Sequence, residues 1–121
     1  MPPVRKDPKT KRFHLCDVLT LATHYNVSVS EKGLKELVSF LTGKKNWPNR
    51  RWPALAHQCR HCLIKQFPQF NSPEMECALE DFSARLSEIN GFIQAWIVTG
   101  RWLNEQIAKY GEYITVESTV K

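Results

Sequence analysis

Apolar side chains recur three and four residues apart in five successive segments of the chain. The segment from Met75 to Ile89 shows this spacing most completely, with apolar residues on the same side of successive helical turns. Such spacing places side chains on one face of an α-helix. Asparagine, glycine or proline follows each segment, and these residues commonly end helices. The pattern predicts a mainly α fold, a single-domain bundle of four to five helices with a short C-terminal strand or extended tail.

The helix boundaries are predicted from capping residues and stop signals. Ser28 followed by Glu31 fits a capping box, Ser30 is an alternative cap, and Ser72 followed by Pro73 fits the start of a later helix. The predicted helices begin at Phe13, Ser28 or Ser30, Trp52, Pro73 and Phe92, and they end near Asn26, Gly43, Phe67, Asn90 and Gly111.

Each predicted helix has one apolar face, which we expect to pack in the core. The expected inward residues include Leu15, Val18, Leu19 and Ala22 in the first helix, Leu34, Leu37, Val38 and Leu41 in the second, Met75, Ala78, Leu79, Phe82, Leu86 and Ile89 in the fourth, and Phe92, Ala95, Trp96, Thr99, Leu103, Ile107 and Tyr110 in the fifth. A single helix running through Gly91 keeps an apolar face too, so a continuous fourth and fifth helix is an alternative. On the outer face, Asp81 and Arg85 are spaced for an ion pair.

The two ends of the chain differ from the helical middle. Residues 1–12 contain three prolines and five basic residues, which is typical of a flexible basic arm before a single helical domain at residues 13–121. After Gly111, the segment "EYITVES" alternates like a β-strand. A lone strand is not stable, so it pairs with a partner chain, pairs with a minor strand elsewhere in this chain, or lies as a tail. Pairing across a two-fold axis would make a homodimer.

The charge of the chain is unevenly distributed. Residues 1–65 contain 13 Lys and Arg against 4 Asp and Glu, a net charge of +9, whereas residues 66–121 contain 4 against 8, a net charge of −4. A concentration of positive charge on one part of a small protein indicates an anionic partner, either nucleic acid or an acidic protein surface.

The segment "KKNWPNRRWP" between the second and third helices is the strongest candidate for a binding site. It holds four basic residues, two tryptophans and two prolines in ten positions, with no acidic residue. Basic side chains neutralise phosphates and tryptophan rings stack on bases, which favours nucleic acid. Alternatively, the tryptophans cover the ends of helices and the basic residues keep the loop soluble. The candidate residues for binding a partner or nucleic acid, continuing along the third helix, are Lys44, Lys45, Trp47, Arg50, Arg51, His57, Arg60, His61 and Lys65.

The motif "HQCRHC" has the residue types of a metal site, but helical geometry separates them. In a helix, Cys59 and Cys62 point towards the core, and His57 and His61 point to the opposite face. Four ligands on two sides of one helix cannot bind one ion, and no glutamate of a metalloprotease motif lies between the histidines. The sequence therefore predicts no metal and no cofactor.

Other catalytic patterns are missing from the sequence. It contains no glycine-rich phosphate loop and no GxSxG motif, and its cysteines lie in or beside apolar stripes, where an activated thiol is not expected. We therefore expect a protein that is not an enzyme. Because the chain has neither a run of 18 apolar residues nor the apolar segment of a secretory signal, the expected location is the cytoplasm of the host cell, with reduced cysteines and no contact with a membrane.

Four segments resemble a family of small uncharacterised bacteriophage and prophage proteins. They are "FHLCDVLTLATH", "GLKELVSFLTG", "HQCRHCLIKQFPQF" and "RWLNEQIAKYGEYITVE". The resemblance extends from Phe13 to Glu117 and is weakest from about Pro73 to Ile97. The chain departs from the family pattern at Gln58, where relatives have an acid, at His61, where they have proline, and in the more basic loop.

The resemblance implies a biological context and no catalytic residue. Small phage accessory proteins commonly bind a host machine and redirect or inhibit it. We therefore expect a non-enzymatic binding protein that modulates or inhibits a host or defence complex, such as a CRISPR ribonucleoprotein, through its basic surface. The alternative is a regulatory protein that binds DNA or RNA directly.

Overall fold

The segments with helical spacing form α-helices in a computed structural model of the protein, which describes residues 10–23, 25, 27 and 31–118. The mainly α fold is confirmed. In chain order the elements are β1 (Thr10–His14), α1 (Leu15–Ala22), α2 (Glu31–Thr42), a 3-10 turn (Asn49–Arg51), α3 (Trp52–Gln66), a second 3-10 turn (Pro68–Asn71), α4 (Pro73–Ser87), α5 (Phe92–Tyr110) and β2 (Tyr113–Glu117).

A two-stranded antiparallel sheet joins the two ends of the described chain. In β1, Phe13 lies opposite Ile114 of β2, so the C-terminal strand pairs with a minor strand of the same chain. Thr10–Arg12, which the sequence assigned to the arm, belong to β1, and the first helix begins at Leu15 rather than at Phe13. Residues 1–9 of the predicted arm lie outside the described residues, as do Asn26, Ser28 and Ser30, the predicted cap positions.

The far edge of β2 is held by a side chain of α3. The Gln66 amide donates to Glu117 O at 2.7 Å, and Glu117 N donates to Gln66 Oε1 at 2.9 Å. Ser118 Oγ also donates to Phe40 O at 3.0 Å. These bonds bring the end of the strand onto α2 and α3. The two bonds to Gln66 use backbone groups of Glu117 through which another strand would otherwise pair.

Several predicted helix ends are confirmed by their geometry. Ser72 Oγ accepts from Met75 N at 3.2 Å and Pro73 occupies the first turn of α4. Gly91 has φ 121° and Gly111 has φ 98°, values that favour glycine, and they separate α5 from α4 and from β2. The alternative of one continuous fourth and fifth helix is therefore wrong.

The core is built around α1. Seven of its eight residues are buried, including the predicted stripe of Leu15, Val18, Leu19 and Ala22. The helix contacts both strands, α2, α3 and α5. On the side of α2, a Cβ added to Gly33 would lie 2.5 Å from Asp17 Oδ2, so the absence of a side chain there lets the two helices approach closely.

The inward face of α5 differs from the prediction at both ends of the helix. Phe92 and Trp96 were expected in the core, but they are exposed, whereas Trp102 and Gln106 are buried. The buried side of α5 is rotated from the predicted stripe. At roughly 100° per residue, the centre of Trp102, Leu103 and Gln106 lies about 70° from Trp96, and Phe92 is the first residue of the helix. Helical spacing alone does not report which side of an apolar helix packs in the core.

An ion-pair network joins the outer surfaces of α4 and α5. Arg85 forms a two-pronged pair with Glu105, at 2.6 and 3.0 Å, and also contacts the predicted partner Asp81 at 2.7 Å. The hydrogen bonds from Arg85 hold the pKa of Glu105 below its ordinary value. Because these side chains are exposed to water, the network contributes modestly to stability.

Replacing Glu105 with glutamine is expected to lower the urea midpoint of unfolding at pH 7 by less than about 0.5 M. The pKa of Glu105 is lower in the folded protein than its ordinary value of 4.5. Ionised Glu105 therefore stabilises the fold fully above about pH 4.5, and this stabilisation disappears as the pH falls through the lowered pKa. Urea unfolding of wild type and variant at pH 7 and about pH 2.5 measures this. Glu88→Gln on the same surface is the control, and an equal difference at both pH values would contradict the assignment.

Candidate basic binding site

The basic loop, which we define as residues 44–51, connects α2 to α3 on the surface. Lys44, Lys45, Arg50 and Arg51 are exposed, and the loop contains no acidic residue. None of these four side chains makes an ion pair with another residue in the described ranges. Their charge is therefore directed to solvent, where it is available to a partner.

Backbone hydrogen bonds fix both ends of the basic loop. Gly43 N donates to Ser39 O at 2.8 Å, and Lys44 N donates to Thr42 Oγ1 at 3.2 Å, which closes the C-terminal end of α2. At the other end, Arg51 N donates to Pro48 O at 2.9 Å within the 3-10 turn that leads into α3. The four cations thus project from a backbone that is anchored on two helices.

The two tryptophans of this region contact each other. Trp47 and Trp52 are half-buried against the core, and their ring centroids are 6.3 Å apart with an angle of 26° between the planes. The stack occupies one face of each indole, so a base cannot be held between the two rings in this arrangement. This geometry favours the interpretation that the tryptophans cover helix ends.

The outer face of α3 carries the two histidines. His57 and His61 are exposed with ring centroids 6.4 Å apart, while Cys59 is buried and Cys62 is half-buried, as helical geometry predicted. Lys65 is exposed on the same helix. No group of three His, Cys, Asp or Glu side chains within the described ranges is arranged to hold a metal ion.

Arg60 does not lie on the open surface where the sequence placed it. Its side chain is half-buried, and Nε donates to Ala22 O at 3.4 Å. Ala22 is the last residue of α1, where backbone carbonyls lack partners within the helix and favour a positive charge. Arg60 therefore joins α3 to α1, and its guanidinium is partly engaged within the fold.

The thiol of Cys59 is held in its neutral form. Burial, and to a smaller extent the neighbouring Cys62, raises the pKa of Cys59 to about 12. A thiol must ionise to act as a nucleophile or metal ligand. The position is consistent with the packing role that the sequence predicted for it.

The sequence did not predict a second candidate binding region, an exposed apolar surface at the start of α5. Phe92, Ile93, Trp96 and Ile97 are 86%, 71%, 65% and 48% exposed. The sequence does indicate an unusual segment, because residues 89–100 contain no charged residue. The prediction nevertheless placed Phe92 and Trp96 in the core. A charge-free helical segment does not reveal whether it packs within its own chain or against another protein.

The fold and the site together define a small mainly α domain with an anchored basic loop on its surface. Comparison of the chain with protein-family models, curated proteins and solved structures gave no match. Among the described residues, none of the helices has the length and apolar character needed to cross a membrane.

Proposed function

We propose that the protein is a non-enzymatic binding protein that docks on a host or defence complex through the basic loop and modulates or inhibits that complex. The observation that carries the proposal is the group of four exposed cations at Lys44, Lys45, Arg50 and Arg51 on an anchored backbone, without acidic partners among the described residues. The resemblance to small phage proteins supplies the context, an anti-defence role such as that of an anti-CRISPR protein.

The chemistry of the loop favours an anionic face on the target. Lysine and arginine bind the carboxylates of an acidic protein surface or the phosphates exposed on a ribonucleoprotein. Clustered exposed cations raise the association rate and orient the encounter, and they discriminate against positively charged surfaces. His57 and Lys65 are also exposed, on α3, the helix that follows the loop. The surface is therefore suited to covering a charged functional site on a larger assembly.

Two observations support binding rather than catalysis. The raised pKa of Cys59 disfavours thiolate chemistry at that position. His57 and His61 are exposed on the outer face of a helix, where water competes for any substrate and no desolvated site strengthens polar interactions.

Inhibition of purified CRISPR effector ribonucleoproteins would test the proposal directly. Wild type is expected to bind one of a panel of effectors and reduce target-DNA cleavage. Arg50→Glu combined with Arg51→Glu should weaken binding by roughly 100-fold or more, since each reversal replaces attraction by repulsion. Lys32→Glu with Lys35→Glu is the matched control, because it changes the net charge equally on exposed residues near the other end of α2. Equal loss in both variants would contradict a role for the loop.

A second candidate function is direct binding of DNA or RNA, which the same exposed cations favour. Binding to phosphates releases counterions, so the logarithm of the affinity should fall linearly with the logarithm of the salt concentration. Duplex and single-stranded probes at low and moderate salt measure this slope, and Arg50→Ala with Arg51→Ala should reduce it by about two. Absence of binding at low salt would eliminate the second candidate and leave the protein complex as the target.

A further inference from the structure

The first half of α5 presents an apolar stripe to solvent. Ile93, Trp96, Ile97 and Gly100 follow the spacing i, i+3, i+4, i+7, and Phe92 lies at one side. With apolar side-chain areas of roughly 150 to 250 Å², the exposed fractions of the four large residues give an apolar patch of roughly 500 Å². A patch of this size is near the upper end of the largest patches that monomers expose, and such patches are often functional.

The stripe is uncovered because it lies on a different side of α5 from the core. The second half of α5 buries Trp102, Leu103 and Gln106. At roughly 100° per residue, the centre of the stripe is rotated by about 120° from the centre of these three residues. Ala95 and Thr99 of the first half lie on the core side and are half-buried, so the stripe faces solvent.

The presence of glycine at position 100 suits a contact between the stripe and another protein chain. Gly100 lies in the interior of α5, where glycine is among the least favourable residues, and a Cβ added there would meet no atom within 4 Å. Packing within this chain therefore does not require glycine at this position. A glycine on an exposed stripe leaves a shallow depression into which a side chain of another helix fits.

We propose that this stripe is a homodimer interface, in which the α5 helices of two copies pack antiparallel across a two-fold axis between Trp96 and Ile97. In this arrangement Ile93 of each copy enters the depression at Gly100 of the other, and Trp96 lies beside Trp96 of the second copy. Two-fold symmetry makes the contact between Ile93 and Gly100 twice.

Area and charge favour a second copy as the occupant. A standard interface buries about 800 Å² on each partner, and about 65% of a homodimer interface is apolar, which corresponds to a patch of roughly 500 Å². Residues 89–100 carry no charge, so two identical faces meet without like-charge repulsion. Residues 1–9 of the same chain offer only Met1 and Val4 besides prolines and polar residues, too little to cover the stripe.

Sedimentation equilibrium at micromolar concentrations tests the interface. Wild type is expected at twice the chain mass of 14.1 kDa. Trp96→Glu should weaken dimerisation by roughly 100-fold or more, because a central tryptophan is lost from both copies and a charge is placed opposite itself. Gln94→Glu introduces the same charge at an exposed position off the stripe and should leave the dimer intact. Equal effects of the two variants would overturn the proposal.

Gly100→Gln tests the interface separately from the fold, because it should stabilise the monomer and weaken the dimer. Glutamine is a better helix former than glycine and has open space around it, so the isolated monomer should melt at a higher temperature. The same side chain fills the depression that receives Ile93 of the second copy and should weaken the dimer by roughly tenfold or more. A lower melting temperature together with an unchanged dimer would contradict the assigned packing.

Wild type that remains monomeric at all concentrations would overturn the proposal. Arg50→Glu with Arg51→Glu should preserve the dimer mass, because the basic loop is not part of the stripe. Failure of the homodimer and failure of target binding are therefore distinguishable.

Discussion

Replacing Trp102 with alanine is expected to lower the free energy of unfolding by about 3–5 kcal/mol. The indole is buried and stacks on Phe82, with ring centroids 4.7 Å apart and an angle of 27° between the planes. Its Nε1 donates to Ala78 O at 2.9 Å. Both contacts join α5 to α4, so the substitution removes the largest buried side chain and two contacts between the helices.

Urea unfolding followed by circular dichroism measures this loss. Trp102→Phe, which keeps a ring but loses the N–H donor, should cost less than Trp102→Ala, and Gln94→Ala on the exposed side of α5 should change stability by less than about 0.5 kcal/mol. Because Trp102 and Phe82 share one contact, the double alanine variant should cost less than the two single variants combined. A loss below about 1 kcal/mol for Trp102→Ala would contradict its role in joining the helices.

Local sequence patterns predicted most of the helices because helix formation depends on neighbouring residues. The stripe of α1, the cap at Ser72 and the stop at Gly111 follow from side chains within a few positions. The same reasoning was wrong at Phe92 and Trp96. Periodicity identifies the apolar face of a helix, but what covers that face depends on the lengths and positions of other elements.

In the candidate site too, features that depend on neighbouring residues could be predicted, and features that depend on distant residues could not. The composition of the basic loop and the opposite orientations of Cys59 and His57 could be predicted, because both depend on local sequence and helical geometry. The engagement of Arg60 could not, because its acceptor at Ala22 is 38 positions away in the chain. The stacking of Trp47 on Trp52 likewise depends on how the loop folds back on α3.

The sheet is the largest feature that local patterns did not predict. The sequence placed Phe13 in a helix, yet it pairs with Ile114, about one hundred positions later. Strand pairing between distant segments depends on the completed fold rather than on neighbouring residues. Phe13 is buried, and its ring centroid lies 5.5 Å from that of Phe40 in α2. It therefore connects the sheet to the helical core.

Phe13→Ala is accordingly expected to lower the free energy of unfolding by about 3–4 kcal/mol, an effect inconsistent with a position at the edge of a flexible arm. Arg12→Ala is the control within the same strand. Arg12 is exposed over the ring of Tyr113, at 5.1 Å, and its loss should cost less than about 1 kcal/mol. Urea unfolding compares the two variants. Similar small losses would mean that the side chains of β1 contribute little, whereas a large loss confined to Phe13 would show that the ring that β1 places in the core stabilises the fold.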